Sequence, residues 1–254
     1  MLLAVDIGNS DVVIGVWGLQ QWKQIWRIRS LPEENALYYQ TRLLNYFLEA
    51  GFRFSDFDRV VISSVVPSLT GLFRELLQAL FGFKPIVVTI DTFPTLKVQI
   101  DRPHELGSDL FANAVAAYTK YQQNCIVVDF GTALTFTTVS AKSELLGVAI
   151  APGLKTAMKA LSANTAQLPE IPLFLPSSAL GKNTVHAIQA GILLGYVGLV
   201  EALLNQIRKE LNGECIVVAT GGLSSIIQPL HSHFTEVNMN LTLDGLRIIG
   251  ESTL

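Results

Sequence analysis

Residues 4–10 read A-V-D-I-G-N-S and residues 127–132 read V-V-D-F-G-T, with the two aspartates 129 − 6 = 123 positions apart. In both stretches a strand-like apolar run with a β-branched last residue ends in Asp, one apolar residue follows, and Gly then precedes a small hydroxyl residue, Ser10 or Thr132. Glycine lets backbone N–H groups come close to an anion, the hydroxyl adds a further donor, and the carboxylate lies just behind. Such a turn suits nucleotide phosphates, and Asp6 and Asp129 suit Mg²⁺, which takes one or two carboxylates while keeping several waters. A single D-I-G-N-S is equally an ordinary hairpin with a favourable Gly-Asn turn. Its repetition favours two related halves facing each other across a cleft and sharing one chelate. A third element, V-V-A-T-G-G-L at Val217 to Leu223, puts two glycines at a strand end, where a base or ribose could lie against backbone.

The elements that must position these turns follow from periodicity. Leu2–Val5 and Val12–Trp17 flank Gly8-Asn9 as a hairpin. Pro32–Ala50 reads as a helix with Leu37, Leu43, Leu44, Phe47 and Leu48 on one face. A strand over Arg59–Ile62 ends in S-S-V-V-P, a helix over Leu69–Phe81 follows, and Ile86–Ile90 is a short buried strand. Gly107-Ser108 opens a helix running to about Tyr121, which closes the first half. Strands over Ile126–Asp129 and Thr135–Val139 then restart the pattern. After G-V-A-I-A-P-G come a helix over Leu154–Leu161, a loop with Pro169, Pro172 and Pro176, a long helix over Thr184–Leu211, a strand over Cys215–Ala219 and a last helix near Leu243–Ile249. The expected domains are residues 1–121 and 122–254 of an α/β protein.

Composition narrows the classes. A chain of 254 residues that is 50% hydrophobic and 15% charged can build two cores and is not a disordered segment. A net charge of −3 without Lys/Arg runs lacks the footprint of a nucleic-acid binder. The mean hydropathy is +0.40, yet the longest apolar run, Ala190–Val200, is bounded by Gln189 and Glu201, short of the ~20 residues a membrane span needs. The start has no basic region followed by an apolar one, so the cytoplasm is expected. Cys125 and Cys215 each open an apolar run and read as buried free thiols. His104, His186, His231 and His233 lack metal-ligand spacing.

D-I-G-N-S, V-V-D-F-G-T-A-L-T and A-T-G-G together resemble the phosphate 1, phosphate 2 and adenosine motifs of the ATPase superfamily that includes actin, Hsp70 chaperones and sugar kinases. E-L-G-S-D at Glu105–Asp109, A-P-G-L-K-T-A at Ala151–Ala157, T-A-Q-L-P at Thr165–Pro169, G-K-N-T at Gly181–Thr184 and the closing L-T-L-D-G-L narrow the resemblance to type III pantothenate kinase. It implies two ribonuclease-H-like domains with a nucleotide cleft between them, and ATP-dependent phosphorylation of pantothenate at the entry to coenzyme A synthesis. Residue by residue, it implies that Asp6, Ile7, Gly8, Asn9, Ser10, Asp11, Val12, Val13 and Thr132 hold ATP, with Asp6 helping to position Mg²⁺. Asp129 would bind a monovalent cation, K⁺ or NH₄⁺. Gly107, Ser108, Asp109, Leu110 and Thr184 would contact pantothenate, Thr184 from the neighbouring subunit of a homodimer, and Asp109 would accept the proton.

A carboxylate in a helix's first turn is favoured as the anion, which makes Asp109 a weak base acting largely by orientation. The family pattern usually has Arg after this Asp and an aromatic residue seven before the Gly. This chain has Leu110 and Ile100, with Arg102, His104 and Lys182 as candidate replacements for the missing cation. Gly191, Gly195 and Gly198 share a helix face that allows close helix approach, between subunits or within one. The second functional class compatible with these motifs is a non-catalytic ATP-binding regulatory or transcription-accessory protein on the same fold.

Overall fold

The computed structural model describes residues 1–163, 171–222 and 228–253. T-A-Q-L-P at Thr165–Pro169 and Leu223 of the third glycine motif lie outside these residues. The chain divides into two compact units, Met1–Ala116 with Asn240–Leu254, and Ala117–Met239.

The first unit is built on β1 (Leu2–Ile7), β2 (Asp11–Gly18), β3 (Gln21–Arg29), β4 (Arg59–Ser64) and β5 (Ile86–Val87), arranged β3-β2-β1-β4-β5. β1, β2 and β3 pair antiparallel, whereas β4 and β5 run parallel to β1. Helices α1 (Ala36–Ala50) and α2 (Pro67–Phe81) cover this sheet and share its core with Leu3, Val5, Ile7, Val12 and Ile14. Asn35 accepts a hydrogen bond from the Tyr38 amide and starts α1 four residues after Pro32, while Gly51, at φ 72°, ends it. The buried stripe is Tyr39, Leu43 and Phe47, spaced by four. The expected face was therefore partly wrong: Leu37, Leu44 and Leu48 are 67%, 41% and 81% exposed, because they lie on the other side of that stripe.

β6 (Lys97–Val98) is a short strand, and α3 (Ser108–Tyr121) leads from the first unit into the second. The second unit holds β7 (Cys125–Phe130), β8 (Ala133–Ser140), β9 (Glu144–Pro152), α4 (Leu154–Ala163), α5 (Thr184–Gln189), α6 (Gly195–Glu210), β10 (Ile216–Thr220) and β11 (Glu236–Val237). Its strands lie in the order β11-β10-β7-β8-β9. β7, β8 and β9 pair antiparallel, while β10 and β11 run parallel to β7. The pairing rule of the first unit is thus repeated, with β7 in the place of β1, so Asp129 and Asp6 end equivalent strands.

The C-terminal segment departs from the expected division at residue 122. Helix α7 (Leu241–Ser252) belongs to the first unit, because it packs on β1, β4 and the early part of α3. A Cβ on Gly245 would lie 1.9 Å from the Ala112 carbonyl oxygen and one on Gly250 2.5 Å from Val61 Cγ2, so both contacts require glycine. Thr242 Oγ1 donates to Asn113 Oδ1 at 2.9 Å, Asp244 accepts from Trp22 Nε1 at 2.8 Å, and Arg59 Nη1 donates to the Gly250 carbonyl at 3.1 Å. The L-T-L-D-G-L motif is thereby a structural clamp.

Between α5 and α6 the helix widens into a π turn over Ala190–Leu194. Taken together, Thr184–Glu210 is long and apolar enough to cross a membrane by length and composition. Its inner face, with Ile188, Ile192, Leu193, Tyr196, Val200 and Leu204, is instead packed into the core of the second unit. Gly191, Gly195 and Gly198 are exposed, with no atom of the described residues within 4 Å of a Cβ built on any of them, so packing among those residues does not explain them. Cys125 is fully buried and Cys215 partly so, both as free thiols. Cys125 pairs in register with Ile216, the residue that follows Cys215. Burial pushes the Cys125 thiol up to about 12, leaving it unreactive.

Candidate functional site

In the first unit the Asp6–Asp11 turn is closed by its own backbone and by Ser30. The Gly8 amide donates to the Asp11 carbonyl at 3.0 Å and the Ser30 amide to the Ser10 carbonyl at 3.0 Å, while Ser30 Oγ donates to the Gly8 carbonyl at 2.5 Å. Carbonyls that would repel an anion are thus occupied from behind, and Asn9 and Ser10 stay exposed. Ser30 was not read from sequence, since its contact spans 22 residues and depends on β3, which the hydropathy pattern did not reveal.

The start of α3 is fixed beside this turn. Asp6 and Ile7 pair in register with Ser63 and Ser64. Ser108 Oγ accepts from the Ser64 amide at 2.9 Å, donates to the Ser64 carbonyl at 3.1 Å and lies 3.0 Å from Ser63 Oγ. Asp109 therefore projects from the sheet end that carries Asp6. A Cβ on Gly107 would stand 2.5 Å from Asp109 Oδ1, so glycine makes room for the carboxylate. Asp109 Oδ1 also accepts from the Leu110 amide at 2.8 Å.

Burial raises the Asp109 pKa, and hydrogen bonds from backbone amides only partly offset it. This corrects the expectation of a weak base favoured as an anion: desolvation outweighs the helix terminus and makes Asp109 a stronger proton acceptor. Leu110 is 9% exposed and its side chain belongs to the interior, so only its backbone is available to a ligand. Arg102 pairs with Glu105 at 3.0 Å on the surface, and His104 is exposed nearby.

In the second unit the Gly131-Thr132 turn rests on the A-P-G-L-K-T segment. The Gly131 amide donates to the Ala133 carbonyl at 3.1 Å, and the Thr132 carbonyl accepts from the Gly153 amide at 3.0 Å and Thr156 Oγ1 at 2.7 Å. A Cβ on Gly153 would be 2.3 Å from the Gly131 carbonyl oxygen. Thr132 is held by its backbone while remaining exposed.

Gly221 adopts φ +86°, and a Cβ there would reach 2.5 Å from Asp129 Oδ1 and 2.6 Å from the Phe130 carbonyl carbon. The first glycine of T-G-G thus leaves room for the Asp129 carboxylate, and a Cβ on the exposed Gly222 would meet nothing within 4 Å among the described residues. Gly131 forms a second wall, its Cβ position lying 3.4 Å from Asp129 Oδ1. Thr135, directly opposite Asp129 in the β7–β8 pair, has a buried hydroxyl with no hydrogen-bond partner among the described residues. A glycine-walled carboxylate beside an unmet hydroxyl offers oxygen donors of the kind that suit a hard cation.

Thr184 opens α5 behind the N-cap Asn183, whose side chain accepts from the His186 amide. It is exposed and is joined to neither turn by a hydrogen bond among the described residues. A Cβ on Gly181 would lie 2.4 Å from Ala187 Cα, so G-K-N-T folds tightly against its own helix and leaves Lys182 exposed.

These motifs agree with comparisons over the chain. The family model for type III pantothenate kinase matches residues 2–206. A type III pantothenate kinase of Geotalea uraniireducens (strain Rf4) is 41% identical over 249 residues, covering 98% of this chain and 97% of that protein. One from Roseiflexus sp. (strain RS-1) is 42% identical over 251 residues, covering 99% and 98%. Among solved structures, MreB 5 of Spiroplasma citri bound to AMPPNP aligns with a TM-score of 0.58 at 11% identity, covering 99% of this chain and 96% of that one. That likeness carries the fold alone, which is that of the actin, sugar-kinase and Hsp70 ATPases. With the family model spanning most of the chain and relatives above 40% identity over nearly all of it, the chain belongs to the type III pantothenate kinase family.

Proposed function

We propose that this chain transfers the γ-phosphoryl group of ATP to the primary hydroxyl of pantothenate, giving 4'-phosphopantothenate in the first step of coenzyme A synthesis. The observation that carries the reading is Asp109: its pKa is raised by burial, and it sits at the helix start tied through Ser108 to the strand beside Asp6. Phosphoryl transfer requires mainly an aligned hydroxyl and counter-charge around the phosphate. Asp109 orients the hydroxyl and takes its proton. Asp6–Val13 and Thr132 hold the ATP phosphates through turn amides and hydroxyls.

The family reading implies ATP with a divalent metal. Asp6, beside turn amides, fits Mg²⁺ bound through water, and Mg²⁺ supplies neutralising charge at the phosphates. Asp129, in its glycine-walled setting, fits K⁺ or NH₄⁺. Pantothenate is contacted by Gly107, Ser108, Asp109, the Leu110 backbone and Thr184. The exposed stripe of Gly191, Gly195 and Gly198, together with exposed Phe174, Leu180 and Val185, supports a homodimer; the cytoplasm is the location in keeping with the family reading. The chain incubated with ATP, Mg²⁺ and pantothenate should yield ADP and 4'-phosphopantothenate by mass spectrometry, with turnover dependent on K⁺. ATP binding without product under these conditions would refute the kinase reading.

A further inference from the structure

We infer that Thr135 supplies a second oxygen ligand, beside the Asp129 carboxylate, for the monovalent cation, and so sets how tightly it is held. The inference rests on the reading of Asp129 as the cation site. Thr135 is 7% exposed, and its Oγ1 is buried without a hydrogen-bond partner among the described residues. A native interior rarely keeps such an atom unless a water or ion meets it.

The register places Thr135 directly across from Asp129, and opposed residues of an antiparallel pair project from the same sheet face. On the other side of Asp129 the paired residue is Thr220, 2% exposed. The carboxylate thus stands between two threonines, and neither Gly131 nor Gly221 places a side chain of its own against it.

The repeated fold provides an internal comparison. In the first unit the residue opposite Asp6 is Val13, so the sheet accepts a β-branched apolar side chain at the equivalent place. The hydroxyl of Thr135 is therefore not required by strand pairing. Potassium exchanges hydration water for uncharged oxygen dipoles, and ammonium can donate to the same hydroxyl. Thr137 serves as the control for this site. Its Oγ1 is also buried and unmet, but it lies opposite Val127, two residues from Asp129 along the strand.

The test uses the full-length, nucleotide-free protein and Tl⁺ as a probe for K⁺, with binding followed by ²⁰⁵Tl NMR and by the KCl dependence of Tm at constant ionic strength. Thr135→Val should weaken the cation about tenfold, the loss of one charge-assisted contact. Thr135→Ser should bind within about twofold of the parent and Thr137→Val should match it, by the same contact argument. Asp129→Asn should lose binding. Thr135→Cys keeps the volume without a hard donor and gives the same readout should the valine variant not accumulate. Parent-like binding by Thr135→Val and Thr135→Cys, with binding lost in Asp129→Asn, overturns the inference while leaving the Asp129 reading intact. Parent-like binding by Asp129→Asn overturns both.

Discussion

The amide of Ser64 donates to the hydroxyl of Ser108 at 2.9 Å, joining the last residue of β4 to the first residue of α3 across 44 positions of sequence. Ser64 is paired with Ile7, so this bond relays the position of the Asp6 turn to Asp109. Ser108→Ala removes the acceptor of the Ser64 amide and the contact with Ser63, and should cost about 1–3 kcal/mol of stability. Since displacement of about 1 Å can cost ~10² in rate, kcat should fall by up to that factor with ATP affinity nearly unchanged. A destabilised variant with parental kcat would show that the bond has no part in placing Asp109.

Burial of Asp109 implies a conflict between stability and activity. Its folded pKa lies above the ordinary 3.8, so the folded state favours the proton. Its contribution to stability is full below the unfolded value and is lost as pH rises through the raised folded value. Above that raised value the ionised group therefore weakens the fold. Asp109→Asn should raise Tm at pH 7, with the difference vanishing below the unfolded pKa, and should lower turnover by roughly 10² to 10⁴ while ATP still binds. The parent's kcat/KM should show an acid limb above the ordinary carboxylate range, absent from the residual activity of the Asn variant. An unchanged turnover would remove Asp109 from the mechanism, and an unchanged Tm would mean that its carboxyl is not destabilised by burial.

The two phosphate turns were legible in sequence because their requirements are local: Gly next to the strand end, a hydroxyl after it and Asp before it. The repeat of Asp6 in Asp129 reappears as equivalent strand order in the two units. β3 was not legible, because Q-W-K-Q-I-W-R-I-R is an edge strand whose exposure does not alternate cleanly. The return of α7 to the first unit was hidden because it depends on close approach at Gly245 and Gly250 to residues far away in sequence. The same applies to Asp109, whose helix-start position favours the anion locally while its surroundings in space favour the proton. Leu37, Leu44 and Leu48 show the converse limit, since their hydropathy suits a core face but α1 turns them outward.

The departure at Leu110 leads to a prediction about substrate charge. Pantothenate carries a carboxylate, and Leu110 places an interior side chain where the family pattern has Arg. A charged hydrogen bond contributes about 1.5 to 3 kcal/mol, equivalent to ten- to hundred-fold in apparent affinity. Among the described residues the ion pair that Arg102 makes is an exposed one with Glu105, of a kind that contributes about 0.2–1 kcal/mol, so giving up Glu105 for a substrate carboxylate costs little. Lys182 is exposed two residues before Thr184 and makes no ion pair among the described residues. Arg102→Ala or Lys182→Ala should raise the pantothenate KM ten- to hundred-fold with kcat little changed, and the variant that does so identifies the replacing cation. Leu110→Arg should lose stability by forcing a guanidinium into an apolar interior and should not lower KM. If neither alanine variant changes KM while Leu110→Arg lowers it, the carboxylate site lies at position 110 and this member works without its cation. If none of the three changes KM, the carboxylate is held by backbone amides, for which the exposed Gly181-Lys182-Asn183 segment ahead of α5 is the next place to substitute.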